Sequence, residues 1–332
     1  MRKMRVLIAI LLGACGAAPP PVPPAEGPGP SARIEACSPL RFLDRVADRP
    51  DFVRAASGIA AVEGGWVIAQ DDLAWVAVRR PDGGLDALPL PAGPGGARIF
   101  EERLGNRDDK PDLESAVTLP DGRALLFGSG ASPGRVSVVI VDAAARATRV
   151  VDAAPLYAAL RARTDLSGSE LNLEGAAVVG DALWLFQRGN GAPRDGILPI
   201  NAVAEIPLDA LLAYLDGGPT PPLRRVRAFD LGRAGDVAYG FTDAASDGVR
   251  VWFLASAEDS PDALRDGPIL GTRVGTIEGE RIRWGPVREP DGAPSERKLE
   301  GLLLDGDAAW AVTDADDPDR ASELCRLTLT RG

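Results

Sequence analysis

The chain of 332 residues contains no histidine. Ser-His-Asp and Cys-His catalysis are thereby excluded, as is any metal site built on imidazole. A metal held here must be a hard ion bound by oxygen. Lysine is scarce as well: Lys3, Lys110 and Lys298 stand against 34 arginines. Cysteine is limited to Cys15, Cys37 and Cys325. Basic residues are in deficit, 37 against 48 acidic, for a net charge of −11. That balance argues against nucleic acid as a partner and against a polybasic contact with a membrane. No run of the chain approaches the ~20 apolar residues that span a bilayer.

What is present at the N-terminus is an address. Arg2, Lys3 and Arg5 precede a short apolar run over residues 6–12, which ends in Leu12-Gly13-Ala14-Cys15. A basic head, a short apolar core and small residues make an export signal, too short for a permanent transmembrane helix. Leu-Gly-Ala-Cys resembles the bacterial lipobox, which implies cleavage before Cys15 and diacylation of that cysteine. Residues 16–31 are mostly Pro, Ala and Gly, with seven prolines. Such a segment favours extended polyproline geometry and reaches roughly 50 Å at about 3.1 Å per residue. The expected organisation is a signal peptide (1–14), a lipidated cysteine with a proline-rich tether (15–32) and one folded domain (33–332). The expected location is the bacterial envelope, on the outer membrane of a Gram-negative cell at its periplasmic or surface face. The N-terminal lipid is then the only membrane contact, and the domain is a monomer.

Within the domain one pattern recurs five times. A short apolar strand opens on a Ser or acidic residue. After a turn comes a second apolar strand, usually with Trp, and it ends in a polar cluster. The openings are Ser57-Gly58-Ile59, Leu113-Glu114-Ser115, Leu173-Glu174-Gly175, Phe241-Thr242-Asp243 and Leu299-Glu300-Gly301. Strands at this spacing, divided by Asp-Gly and Gly-Gly turns, read as an all-β sandwich or propeller. Repeats of this length built from about four strands favour the propeller. Five copies imply five blades; a sixth, degenerate blade between residues 195 and 233 is the other reading. Residues 208–215 read as a short inserted helix. The last repeat is one strand short, and residues 33–43 can supply it. With Cys15 lipidated, Cys37 in that strand and Cys325 in the final one are left to pair as a disulfide, which an oxidising compartment permits.

In a propeller, the opening residues and the terminal clusters share one rim. Nearest the axis are expected Ser57, Glu114, Glu174, Asp243 and Glu300. Around them are expected Asp71, Ser129, Arg188, Asn190, Glu258, Asp314 and Asp316. Carboxylates so close to one axis require a cation among them. Converging oxygens with Asn190 nearby suit Ca²⁺. The metal candidates are Glu114, Glu174, Asp243, Glu300 and Asn190. Lys110 and Lys298 directly precede two of the Glu motifs. In so arginine-rich a chain, a retained lysine suggests a need for a compact cation. The tryptophans read as packing between blades. The stretch 314–319 lacks the central glycine of an EF-hand, and position twelve is Cys325 rather than Glu, so that motif is excluded.

The Leu-Glu-Gly, Leu-Glu-Ser and Phe-Thr-Asp openings over residues 57–329 resemble secreted bacterial β-propellers of the esterase-like phytase group. More distantly they resemble gluconolactonase and paraoxonase propellers, whose channel calcium sits on acidic and Asn ligands. The resemblance implies a metal-dependent hydrolase of a phosphate ester or lactone. Glu174 and Glu300 would then act at the metal, while Lys110, Lys298 and Arg188 would hold a small anionic substrate. Absence of histidine departs from the paraoxonase pattern, whereas a phosphomonoesterase using metal-activated water needs none. The other reading is a non-catalytic propeller that binds a ligand or an envelope protein at the cell surface. The address itself is testable: Cys15→Ser should shift the protein from the membrane fraction to the soluble envelope fraction on immunoblots.

Overall fold

The computed structural model describes residues 20–25, 27–306 and 308–332. The expected signal peptide and Cys15 therefore lie outside the described residues. Strand β1 (Ser31–Pro39) is followed by a meander of β2 (Ala56–Val62), β3 (Gly65–Gln70), β4 (Trp75–Arg79) and β5 (Leu85–Pro89). A second meander contains β6 (Leu113–Thr118), β7 (Ala124–Gly128), β8 (Ser137–Asp142) and β9 (Ala147–Asp152). Helices α1 (Ala154–Arg161) and α2 (Thr164–Ser167) lead to β10 (Leu173–Val179), β11 (Ala182–Gln187) and β12 (Asn201–Pro207). Helix α3 (Leu208–Leu215) then connects to β13 (Arg225–Phe229), the fourth strand of that sheet. Within residues 195–233, β12 and β13 therefore belong to the third meander. A small hairpin, β14 (Arg233–Ala234) and β15 (Val237–Ala238), precedes β16 (Gly240–Ser246), β17 (Val251–Glu258), β18 (Ile269–Glu278) and β19 (Arg281–Arg288). The chain ends with β20 (Lys298–Asp305), β21 (Ala308–Asp314) and β22 (Glu323–Thr330).

The molecule is nearly all β and propeller-like. The first strands pack in closed order: β2 on β6, β6 on β10, β10 on β16, β16 on β20, and β20 back on β2. Hydrophobic cores lie between successive sheets. Between the third meander and β16–β19, Phe241 meets Phe186 and Phe253 edge-on, each with ring centroids 5.1 Å apart. Such pairs add to the area term of burial. Trp66 of β3 stacks at 5.3 Å on Trp310 of β21, so these tryptophans do pack between sheets. The hairpins turn at small polar pairs such as Gly180-Asp181, where Gly180 adopts φ +59°. A β-carbon is strained in that conformation.

β1 closes the ring. It pairs antiparallel with β22, with Cys37 opposite Cys325, and parallel with β19 at Ala32 and Arg33. The Cys37–Cys325 disulfide is formed. The extended tether is met only in part. Val22 bridges to Phe229, and the Ala25 amide donates to the Ile282 carbonyl at 2.8 Å. This stretch therefore lies along the outer strands of two sheets instead of reaching freely outward. The disulfide joins residues 288 apart in sequence. On the chain-entropy model so long a loop is worth about 5 kcal/mol, although measured values are typically about 2–4 kcal/mol. Cys37→Ser, or reduction with dithiothreitol, should lower the unfolding free energy by about that amount in urea titrations. Unchanged midpoints would mean that β1–β22 pairing alone closes the ring.

Candidate functional site

The site begins with a backbone irregularity repeated in every first strand. Pairing slips between Ala56 and Gly58, Leu113 and Ser115, Leu173 and Gly175, Phe241 and Asp243, and Leu299 and Gly301. The bulged residues are Ser57, Glu114, Glu174, Thr242 and Glu300. A bulge leaves its residue unpaired and re-aims the side chain. Ser57 and Thr242 carry short hydroxyls that donate to the carbonyls of Leu113 and Leu299 on the next first strand, the second at 2.7 Å. The three glutamates reach further, into the mouth of the central channel.

The residue after each bulge faces its neighbours at close range. A β-carbon at Gly58 would lie 2.7 Å from the Ala116 nitrogen, and one at Gly175 would lie 3.1 Å from Asp243. Asp243 occupies this crowded position, and this corrects its expected place among the metal ligands. Its side chain is fully buried and accepts from the Leu302 amide at 2.6 Å. Burial pushes its carboxyl well above the usual range, against the pull of amides from Leu302, Ala244 and Ala176. Asp243 ties neighbouring strands together; the counterpart of the glutamates is Thr242. Aligning Phe241 with Leu113, Leu173 and Leu299 would have revealed the one-residue offset.

The remaining expected residues converge. Glu114, Glu174, Glu300, Lys110, Lys298, Arg188 and Asn190 all line the mouth. The Lys110 ammonium sits 2.6 Å from Asp71 and 2.7 Å from Asp112. Arg188 spans Glu174, at 2.9 Å, and Glu258. Lys298 lies 2.7 Å from Asp316, 3.3 Å from Asp266 and 3.4 Å from Glu300. The Asn172 amide donates to Glu174 at 2.6 Å and to the Asn190 oxygen at 3.2 Å. Glu114 is different: among the described residues it makes no ion pair within 4 Å. Ser129 is buried behind Asp112, to which its hydroxyl donates.

Asp112, Asn172 and Arg135 were not anticipated. Asp112 precedes the Leu-Glu opening and adopts φ +53°, which costs energy for a non-glycine residue. Its carboxylate accounts for that conformation, since it holds both Lys110 and Arg135, the latter at 3.0 Å. Burial raises the proton affinity of Asp112, but Lys110 and Arg135 outweigh it and hold the pKa at about 2. Lys110 is displaced upward: burial works against its charge, but Asp112, Asp71 and Glu114 prevail. Glu114 and Glu300 are pushed well above the carboxylate range by burial and by neighbouring carboxylates. Asp314 is pushed up to about 7 by burial, with Lys298 opposing.

Among the described residues, two groups bring carboxylate oxygens close enough to hold a metal ion: Asp71, Asp112 and Glu114, and Glu258, Asp266 and Asp316, each within 4.8 Å. Each group already contains a lysine ammonium. A cleft of about 320 Å³ opens beside the mouth, lined among others by Arg54, Asp72, Arg103, Arg107, Asp314 and Asp317. Arg54 is committed to Asp72 and to Glu101, the latter at 2.8 Å.

The chain belongs to a family of unknown function, DUF6929, whose model matches residues 52–329. No curated protein matches it. Among solved structures it is similar to Myxococcus xanthus glutaminyl cyclase at 8% identity, over 94% of this chain and 100% of that one, with a TM-score of 0.46. It is similar to a structure from the GH130 family of mannoside phosphorylases at 9% identity, over 83% and 84% of the two chains, with a TM-score of 0.48. Virginiamycin B lyase from Staphylococcus aureus shares 13% identity over 86% and 69%, with a TM-score of 0.37.

The raised carboxyls have a consequence for stability. A group whose folded pKa exceeds its unfolded value keeps its proton longer in the native state, so stability falls as pH rises between the two values. For Asp314 that window runs from about 4 to about 7. Asp314→Asn should flatten the decline of unfolding free energy between pH 5 and 7 by about 1 kcal/mol or more in urea titrations. An unchanged slope would mean that Asp314 is ionised throughout this range.

Proposed function

We propose that the protein is an exported lipoprotein, held by lipid on Cys15, whose five-bladed propeller presents a cation-binding channel mouth, with Ca²⁺ as the ion. The closed packing order of the first strands supports the blade count. The basic head and lipobox-like Leu12-Gly13-Ala14-Cys15 support the anchor. One observation carries the binding reading: carboxylates exceed internal cations where the channel opens. Eight acidic side chains line the mouth against six basic ones, and Arg265 among the six is paired with Asp262. The surplus is neutralised by protons or by a cation from solution.

The donor set is entirely oxygen and suits a hard divalent ion. Glu114, which has no ion pair of its own, would hold it with Glu174, Glu300 and Asn190. Asp71 and Asp112 would share their oxygens between the ion and Lys110. When bound, the ion supplies positive charge that lowers the proton affinity of the surrounding carboxyls. Lys110, Lys298 and Arg188 serve this site as built-in counter-charges. Because each is engaged by carboxylates, binding is favoured over capture of an anionic substrate. Hydrolysis of a phosphate ester or lactone is the second reading. The adjoining 320 Å³ cleft favours it, being large enough for a small ester and edged by Arg103 and Arg107.

Calcium should raise the melting temperature, and at a hundredfold excess over Kd the gain should approach about 2.7 kcal/mol. Glu114→Gln and Glu300→Gln should each reduce the shift severalfold. No calcium-dependent shift in the parent protein would remove the ion from the account. Turnover of p-nitrophenyl phosphate or a simple lactone, lost in the same variants, would favour the second reading.

A further inference from the structure

The connection between β17 and β18, residues 259–268, lies over the channel mouth. Its ends are pinched together: the Asp259 amide donates to the Pro268 carbonyl at 3.0 Å. The Gly267 amide donates to Glu258 at 2.8 Å. A β-carbon at Gly267 would fall 2.1 Å from the Asp259 carbonyl oxygen, so the pinch depends on this glycine. Compact surface loops of this length, with close ends and side chains packed within, are Ω-loops and are frequently functional. Toward the tip, Asp262 bonds the Leu264 amide at 3.0 Å and the Arg265 guanidinium at 2.9 Å, so the tip is internally braced.

The tip crosses to other sheets through one carboxylate. Asp266 accepts from Arg107, on the segment between β5 and β6, at 3.0 Å. It also accepts from Lys298, at the start of β20, at 3.3 Å. Asp266 is 47% exposed and Arg107 is 32% exposed. The Asp266–Arg107 pair, this open to solvent, is individually weak, and the buried Lys298 keeps Asp316 and Glu300 as partners when Asp266 leaves. Ala263, Leu264, Arg265 and Asp266 line the mouth beneath, and its free volume is only about 40 Å³. That holds on the order of one water molecule or one ion. Arg107 and Asp266 also line the 320 Å³ cleft, so their pair stands between the two spaces.

We propose that residues 259–268 form a lid on the channel mouth, hinged at the Asp259–Pro268 pinch and latched by Asp266 to Arg107 and Lys298. Opening breaks the two Asp266 contacts and leaves the base intact. Mouth and cleft then join into one chamber that admits a ligand larger than a single ion. The latch extends the reading of the mouth as a binding site, but its movement does not depend on which ligand enters.

A thiol placed under the lid tests this. In the full chain carrying Glu114→Cys, the rate of modification by methyl methanethiosulfonate, a small neutral reagent, is measured, with the chain lacking that substitution as background. Adding Asp266→Ala or Arg107→Ala should raise the rate about fivefold or more. Raising ionic strength should speed the reaction in the latched protein and leave the Asp266→Ala form nearly unchanged. Amide exchange is the second measurement, made without the new cysteine. Asp266→Ala should accelerate exchange over residues 260–267 while β10 and β11 stay protected. Equal thiol rates with and without the latch, or equal exchange over 260–267, would overturn the lid. Neither readout uses calcium, so a mouth that binds no ion would sink the earlier reading and leave this result standing.

Discussion

Each first strand carries a β-bulge at its second or third residue, and both the packing at the axis and the chemistry above it follow from that slip. Strand pairing has a period of two, so an extra residue reverses the faces presented on either side of it. Below the bulge, small residues such as Gly58, Ser115, Gly175 and Gly301 let adjacent first strands approach within backbone contact. At the bulge, the side chain is released from the pleat. Where it is short, as in Ser57 and Thr242, it caps a carbonyl of the neighbouring strand. Where it is a glutamate, it reaches the channel. One backbone device thus yields a structural tie at two positions and a polar convergence at three.

Gathering carboxylates in this way is costly unless opposite charge is gathered with them. The protein supplies it from the residues around the openings. Lys298 lies one residue before β20's Leu-Glu pair, Lys110 lies three before that of β6, and Arg188 follows β11. Removing one member of such a buried network strands the charge of the others, so these residues are bound to one another more tightly than any single distance suggests. The compensation is incomplete at Asp71, Glu114, Glu174, Glu300 and Asp314, where proton affinity is raised. Those are the positions where a further cation would gain most.

Much of this arrangement was legible in the sequence. Strand alternation and the repeated openings pointed to a propeller, and the short final repeat pointed to β1 as the closing strand. The pairing of Cys37 with Cys325 followed from that closure. The convergence of Glu114, Glu174 and Glu300 followed from their shared phase within the repeat, and Lys110, Lys298 and Arg188 flank the openings or end a second strand. Asp243 was misplaced because an acidic residue was aligned with acidic residues, although the apolar residue before the bulge sets the register. Asp112 and Asn172 were hidden because their roles depend on a left-handed backbone and on cross-strand hydrogen bonds, neither of which leaves a periodic trace. The position of residues 20–25 was hidden for a similar reason. Proline-rich composition predicts an extended chain but not the surface along which it lies.

The geometry at the mouth distinguishes lysine from arginine. Lys110 stands where two aspartates approach one point, at 2.6 and 2.7 Å. A compact ammonium satisfies both, whereas a planar guanidinium would need them spread along its edge. Lys298 meets an even more crowded set, with Asp266, Glu300, Asp314 and Asp316 all within 4 Å. Arg188 faces the opposite demand. Glu174 and Glu258 come from different sheets and engage different nitrogens of one guanidinium. Its fork spans the gap that a point charge would leave open. In a chain that otherwise uses arginine, both lysines of the folded domain occur where carboxylates converge on a point. The scarcity of lysine noted at the outset therefore marks positions where the shape of the cation, and not only its charge, is specified.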